Sequence, residues 1–346
     1  MMQTDFLIHG VAVAPGERST ITIPLGRLAD HTPMCLTAHV IHGKKPGPVT
    51  FVSAAIHGDE IIGVEIIRRI AELKVLRRLH GTLILVPIVN AYGFNSQSRY
   101  LPDRRDLNRS FPGSEKGSLA SQLAYAFMTE IVARAQYGLD LHSGAVHREN
   151  FPQIRADLDD PEVQALAEAF GASIMLNANL RDGSLRAAAK DVGCKILLYE
   201  AGEALRFDEV SIRVGVKGVL GAMRHVGMLP SHSAGKDKRA PSRSDSTHWL
   251  RSPIGGIMRA QKKLGERVKK GETIALISGP LGADQEAVVA RASGIVIGRT
   301  NLPVVSRGDA LFHVARVASL SDAEEIMEEL GLEMEQDPLF DDAAIV

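Results

Sequence analysis

Val49-Thr50-Phe51-Val52-Ser53-Ala54-Ala55-Ile56-His57-Gly58-Asp59-Glu60 runs from an apolar segment into a polar corner, and its reading decides the fold. The first eight residues are apolar or small, the pattern of a buried strand. From about Glu60 to Leu76 the period changes: Ile61, Val64, Ile67, Ile70 and Leu73 fall at helical spacing. His57 therefore ends a strand and Glu60 lies in the first helical turn. An imidazole and a carboxylate three residues apart at such a corner can grip one metal ion. Zinc takes these ligand types, and a catalytic site adds a third protein ligand and an open position for water.

Strand and helix go on alternating along the chain. Apolar strands are expected at 49–56, 82–89, 137–142, 172–176 and 195–200, and helices near 60–76, 118–135, 161–170, 183–191 and 208–227. Upstream, residues 1–45 read as β structure, with Ser19 to Ile23 alternating and Cys35 to Ile41 doing so loosely. This predicts an α/β fold over residues 1–230, a mixed, mainly parallel sheet flanked by helices. Residues 231–248 are polar and read as a linker or mobile loop. Short β runs with glycine turns follow, predicting a small all-β sandwich or barrel over 249–318. Residues 319–346 read as an acidic C-terminal helix, Ala323 to Leu330, and an acidic tail.

Composition narrows the class. With 40 Lys and Arg against 41 Asp and Glu the formal charge is −1, so no global field favours nucleic acid or an anionic membrane. Cys35 and Cys194 are the two cysteines, too few for a disulfide framework or a CxxC metal site. No signal-peptide pattern opens the chain and no apolar stretch reaches transmembrane length. The expectation is a soluble, cytoplasmic protein with a small-molecule substrate and no nucleic-acid or membrane partner. Homo-oligomerisation is left open.

A third metal ligand has a candidate in His142. Residues 136–144 read as a short strand ending in Ser143-Gly144, and the C-terminal ends of strands are where open α/β sheets build their sites. Asp140 shares a strand face with His142 and suits a carboxylate that accepts the imidazole's free N–H. Between the second strand and the next helix, residues 98–113 place four arginines and Asn108 in a loop. Asn108 and Arg109 can clamp a substrate carboxylate while Arg99 reaches a carbonyl oxygen. The plain alternative is a solvated loop with its arginines paired to Asp103 and Asp106.

Glu200 ends the apolar run Ile196-Leu197-Leu198-Tyr199. A carboxylate there is costly to bury unless it is used or paired, which marks it as a general base or acid, with Glu203 as a competitor. Residues 148–155 read either as a connecting loop or as a segment lining the site, with Arg155 contacting substrate. The histidines at 9, 42, 80, 147, 225, 232, 248 and 313 lack a comparable setting, and His147 is the one near these motifs.

His57-x-x-Glu60, Arg99, Asp106-Leu107-Asn108-Arg109, Asp140-x-His142 and Glu200, in that order, resemble the succinylglutamate desuccinylase/aspartoacylase family, a branch of the zinc carboxypeptidase-like hydrolases. The similarity covers roughly residues 45–228, and the C-terminal β region also looks like that family's appended domain. The resemblance implies a zinc-carboxypeptidase-like fold and a zinc-dependent hydrolase that removes an acyl group from an N-acyl amino acid. It implies one zinc per chain held by His57, Glu60 and His142, with Asp140 behind them. Asn108 and Arg109 would hold a carboxylate, Arg99 would polarise the scissile carbonyl, and Glu200 would be the catalytic glutamate. Arg104 and Arg105 compete with Arg99 for its role. A carboxypeptidase-like peptidase or esterase is the alternative within hydrolases. A non-catalytic metal-binding or regulatory protein is the alternative outside them. A biotinyl or lipoyl carrier role for the C-terminal region is disfavoured, since no lysine follows Lys270.

Overall fold

The structure is a computed structural model that describes residues 3–231, 241–282 and 284–317. The expected acidic helix and tail, and half of the expected linker, lie outside these residues.

A large mixed sheet organises the chain. Across it the strands run Ser246–Arg251, Ala310–Arg316, Gly294–Thr300, Arg148–Ala156, Lys195–Glu203, Tyr137–Gly144, Lys45–Ala54, His80–Val86, Pro33–His42 and Arg18–Arg27. The central four, from Lys195–Glu203 to His80–Val86, are parallel. Antiparallel strands extend the sheet on both sides.

Strand alternation sorts the side chains into two cores. Val52, Ala54, Leu83, Leu85, Leu139, Leu141, Leu197 and Tyr199 pack on one face, under the helices Ile62–Glu72, Pro161–Phe170 and Glu209–His225. Phe51, Ile84, Val86 and Ile196 face the other way, against the helices Leu119–Glu130 and Leu185–Asp191 and the N-terminal strands. Because Leu139 and Leu141 point to the first core, Asp140 and His142 point to the second face. By the same rule Glu200 points there too, since Leu197 and Tyr199 are on the first.

Helix starts follow local chemistry. Asp160 caps Pro161–Phe170 by accepting from Glu162 N at 3.0 Å, and Ser118 and Asp208 cap the helices that follow them. The expected helix near 60–76 divides into Ile62–Glu72 and a 3₁₀ turn at Lys74–Arg78.

Three regions differ from expectation. Arg148–Ala156 is a nine-residue strand, not a loop; Pro152 and five polar or charged neighbours hide its pattern. The expected linker ends in strands, Ser242–Ser244 pairing with Ile174–Asn177 and Ser246–Arg251 pairing with Ala310–Arg316. Backbone pairing along existing strands holds these polar segments, so hydrophobic periodicity does not announce them. The C-terminal β region, with its own four-stranded sheet, joins the main sheet where Gly294–Thr300 pairs with Arg148–Ala156. No helix among the described residues is long and apolar enough to cross a membrane.

Candidate active site

His142 and Glu200 are direct partners in the parallel register of their strands. His57 follows the next strand, Lys45–Ala54. Three neighbouring strands thus deliver three polar side chains to one end of the sheet, where such folds bind ligands. Gly58 is needed at the corner after His57: a Cβ there would lie 1.9 Å from the Gly93 carbonyl carbon. That close approach lets the His57–Glu60 turn fold back under His142.

The three candidate metal ligands converge. His57 Nδ1 lies 2.7 Å from Glu60 Oε1, and His142 Nδ1 lies 2.6 Å from Glu60 Oε2. All three residues are buried, and their ligand atoms lie within 4.8 Å of one another, the one such group among the described residues. The outer nitrogens are each held by a second carboxylate. His142 Nε2 meets Asp140 Oδ2 at 2.7 Å, and Asp140 is itself fixed by the Ser53 hydroxyl at 2.8 Å. His57 Nε2 meets Asp106 Oδ1 at 3.1 Å. A carboxylate on the outer N–H fixes the tautomer and turns the Nδ1 lone pair inward.

Electrostatics agree with a cation site. Burial works against the charge on Glu60, but His57 and His142 override it and hold the carboxyl far below its ordinary range. Burial likewise opposes a charged His142, yet Asp140 and Glu60 raise its pKa well above normal. His57 is raised in the same sense by Glu60 and Asp106 against its burial. Anionic oxygens around two buried imidazoles draw positive charge inward, and a dication bound by their lone pairs meets the same demand. Two imidazoles, a carboxylate and ordered carboxylates behind them form a donor set that fits zinc.

Arg99 closes this cluster, donating from Nη1 to Glu60 Oε1 at 3.0 Å and from Nη2 to Asp106 Oδ2 at 3.2 Å. Of the three competing arginines, Arg99 alone lines the adjoining cavity; Arg105 lies 3.8 Å from Asp103 and is mostly exposed. The arginine loop is positioned by Leu101, Leu107 and Phe111, which are buried in the second core. Asp106 Oδ1 also accepts from Asn108 N at 2.8 Å, which tightens the turn.

The cavity holds about 670 Å³ and is lined by His57, Glu60, His142, Arg99, Asn108, Arg109, Arg155 and Glu200 among others. Asp140 stands behind His142. Asn108 is buried, and its Oδ1 accepts from Leu185 N at 2.9 Å, which leaves its amide N–H groups as the side chain's donors. Glu200 Oε2 accepts from Asn150 Nδ2 at 2.6 Å and lies 3.4 Å from Arg155 Nη2. Glu203 does not line the cavity. It is engaged by His147 N, Asn301 Nδ2 and Arg206 beyond an irregularity in the strand pairing.

Other lining residues escaped the sequence reading. Arg148, Arg181 and Arg186 join the cavity wall, and with Arg109 they form no ion pair among the described residues. Burial lowers the Arg186 pKa to about 10, with Arg155 adding to the effect. From the C-terminal strands come Trp249 and His313, stacked with ring centroids 4.6 Å apart, and Arg148 lies 5.2 Å over the Trp249 ring. Asp106 stood in a recognised motif, but its bond to His57 joins residues 49 positions apart and leaves no local signal.

The profile of the succinylglutamate desuccinylase/aspartoacylase catalytic domain matches residues 46–226, more than half of the chain. The N-alpha-acetyl-L-2,4-diaminobutyric acid deacetylase of Halomonas elongata is 26% identical over 283 residues, covering 78% of this chain and 83% of that one. The crystal structure of a succinylglutamate desuccinylase/aspartoacylase from Rhodobacter sphaeroides is 25% identical. It covers 87% of this chain and 96% of that chain, with a TM-score of 0.76. The product-bound ectoine utilisation protein EutE (DoeB) from Ruegeria pomeroyi shares the fold at 24% identity and a TM-score of 0.77, covering 86% and 94% of the two chains. The matched span contains His57, Glu60, Asn108, Arg109, His142 and Glu200, and the chain belongs to the succinylglutamate desuccinylase/aspartoacylase family.

Proposed function

We propose that this protein is a zinc-dependent hydrolase that removes an acyl group from an N-acyl amino acid. The observation that carries the reading is the convergence of His57, Glu60 and His142 beside Glu200, at one end of paired strands. His57, Glu60 and His142 would hold the zinc ion, which when bound would supply Lewis acidity to a carbonyl oxygen and to water.

The chain's own groups do the rest. Glu200 takes the proton of the attacking water and passes it to the leaving amine. Arg99 sits beside Glu60, where its guanidinium stabilises negative charge developing on the scissile carbonyl oxygen. Asn108 and Arg109 hold the substrate carboxylate, which fixes the amide over the metal ligands. Arg155 adds a donor next to Glu200, at the acyl or amino end of the substrate. Asp140 and Asp106 keep the imidazoles in register and do not touch substrate. The arginines without acid partners favour an anionic ligand, as an N-acyl amino acid is at neutral pH.

The test is zinc content measured together with hydrolysis of N-acetyl and N-succinyl amino acids and short peptides, with a chelator control. One zinc per chain and chelator-sensitive release of a free amino acid are expected. Cleavage of peptides in preference to acyl amino acids would move the reading to a peptidase, and no zinc after reconstitution would overturn it. Glu200→Gln is expected to keep zinc and lose roughly 10²–10⁴-fold in kcat.

A further inference from the structure

A carboxylate that moves protons at the rim of an open cavity needs something to hold it. Glu200 is partly exposed, and its Oε2 meets two groups, Asn150 Nδ2 at 2.6 Å and Arg155 Nη2 at 3.4 Å. Both contacts fall on one oxygen, so Oε1 is the oxygen left to face the reacting water.

Asn150 occupies an unusual place in the sheet. Its neighbours on the two flanking strands are both glycines, Gly202 on Lys195–Glu203 and Gly298 on Gly294–Thr300. Pairing with the first strand breaks between Glu200 and Gly202, whereas pairing with the second is regular through Gly298, whose own irregularity lies on its far side, toward Ala310–Arg316. A Cβ built on Gly298 would lie 2.9 Å from Asn150 Oδ1, closer than side chains tolerate. The amide therefore has its place because the C-terminal strand offers no side chain there.

We propose that Asn150 is a positioning residue that holds Glu200 in its working orientation, and that Gly298 of the C-terminal β region keeps the space Asn150 needs. This rests on the reading of Glu200 as the proton-transfer group. It makes the C-terminal region part of the catalytic apparatus through one contact with a side chain that holds the base.

The test is a mutant cycle read as kcat and KM, with zinc content measured on each protein. Asn150→Ala is expected to lower kcat roughly 10- to 100-fold with KM within about threefold, the size of effect that follows from misplacing a reacting group by about an ångström. Zinc content stays at the wild-type level. Gly298→Ala displaces the flexible end of Asn150, not backbone, so it is the milder variant and serves if Asn150→Ala folds poorly. It is expected to lower kcat several-fold in the wild-type background and to add nothing once Asn150 is Ala, the signature of coupled residues. Independent, multiplying effects would overturn the proposal. So would an Asn150→Ala enzyme with wild-type kcat while Glu200→Gln is inactive. Wild-type turnover in Glu200→Gln would remove the reading of Glu200 itself, and this inference with it.

Discussion

The two sides of the cavity are built on opposite electrostatic plans. On the side of His57, Glu60 and His142, the charged groups that line the cavity are each partnered by opposite sign: Asp140 on His142, Asp106 on His57, Arg99 bridging Glu60 and Asp106. Elsewhere in the cavity wall Arg109, Arg148, Arg181 and Arg186 have no carboxylate to pair with among the described residues. The first side is complete before any substrate arrives, so its geometry is set by the protein. On the proposed function, the second is left to be completed by an anionic substrate. Arg186 is buried, where a guanidinium without a counter-ion is costly, while Arg109, Arg148 and Arg181 are exposed at the cavity wall.

The sharpest way to break this comparison is to remove a group from the complete side. His57→Ala or His142→Ala is expected to abolish zinc binding and lower kcat/KM by about 10³-fold or more, since the Lewis acid and the ligand geometry go together. Elemental analysis of the purified variants checks it, and unchanged zinc would exclude that histidine as a ligand. Next in size is the outer carboxylate. Asp140→Asn should weaken zinc roughly 10- to 100-fold in a chelator competition while leaving the fold intact. Equal affinity would mean that Asp140 serves packing alone.

The incomplete side should answer differently. Arg109→Ala is expected to raise KM by roughly tenfold with kcat changed little, the mark of a group that binds ground and transition states alike. A fall in kcat at constant KM would place Arg109 in the chemistry instead. An ordinary surface pair sets the baseline for both sides. Glu209 accepts from Arg69 at 2.8 Å and from Arg213 at 2.7 Å, hydrogen bonds that hold its pKa at about 2 against an ordinary 4.5. Its folded-state pKa is depressed, so its contribution is present above about pH 4.5 and fades as pH falls toward 2. Glu209→Gln should therefore lower Tm by about 1–2 °C at neutral pH, and the difference should shrink below pH 4.5. A pH-independent difference would assign the effect to packing.

What could be read from sequence follows the range of each interaction. His57 and Glu60 are three residues apart at a change of hydrophobic period, and Asp140 and His142 are two apart on one strand, so local spacing exposes both pairs. Glu200 stands out because a charge ends an apolar strand. Pro161–Phe170 is legible at both ends, with Asp160 and Pro161 opening it and Gly171 at φ 79° closing it. The bond between Asp106 and His57, and that between Asn150 and Glu200, cross 49 and 50 positions and depend on how loops and sheet edges meet. Trp249 and His313 have no metal-like or catalytic spacing at all. They enter the cavity because strands read as a separate β region extend the main sheet. Arg148–Ala156 shows the same limit: a strand whose side chains line a polar cavity loses the hydrophobic pattern by which strands are recognised.

The seam between Arg148–Ala156 and Gly294–Thr300 also bears on the order in which the molecule is made. Asn150 and Gly298 are nearly 150 positions apart, so this pairing waits until almost all of the described chain has left the ribosome. Until then only the 153–156 half of that edge is paired, with Ile174–Asn177, and the free amides and carbonyls of the 148–150 end offer a template to other extended chains. Synthesis thus passes through a state in which the His57–Glu60 corner has been made but the last wall has not. Chaperone dependence and aggregation during expression should concentrate in that interval, and a chain cut before Gly294 would be left in it permanently.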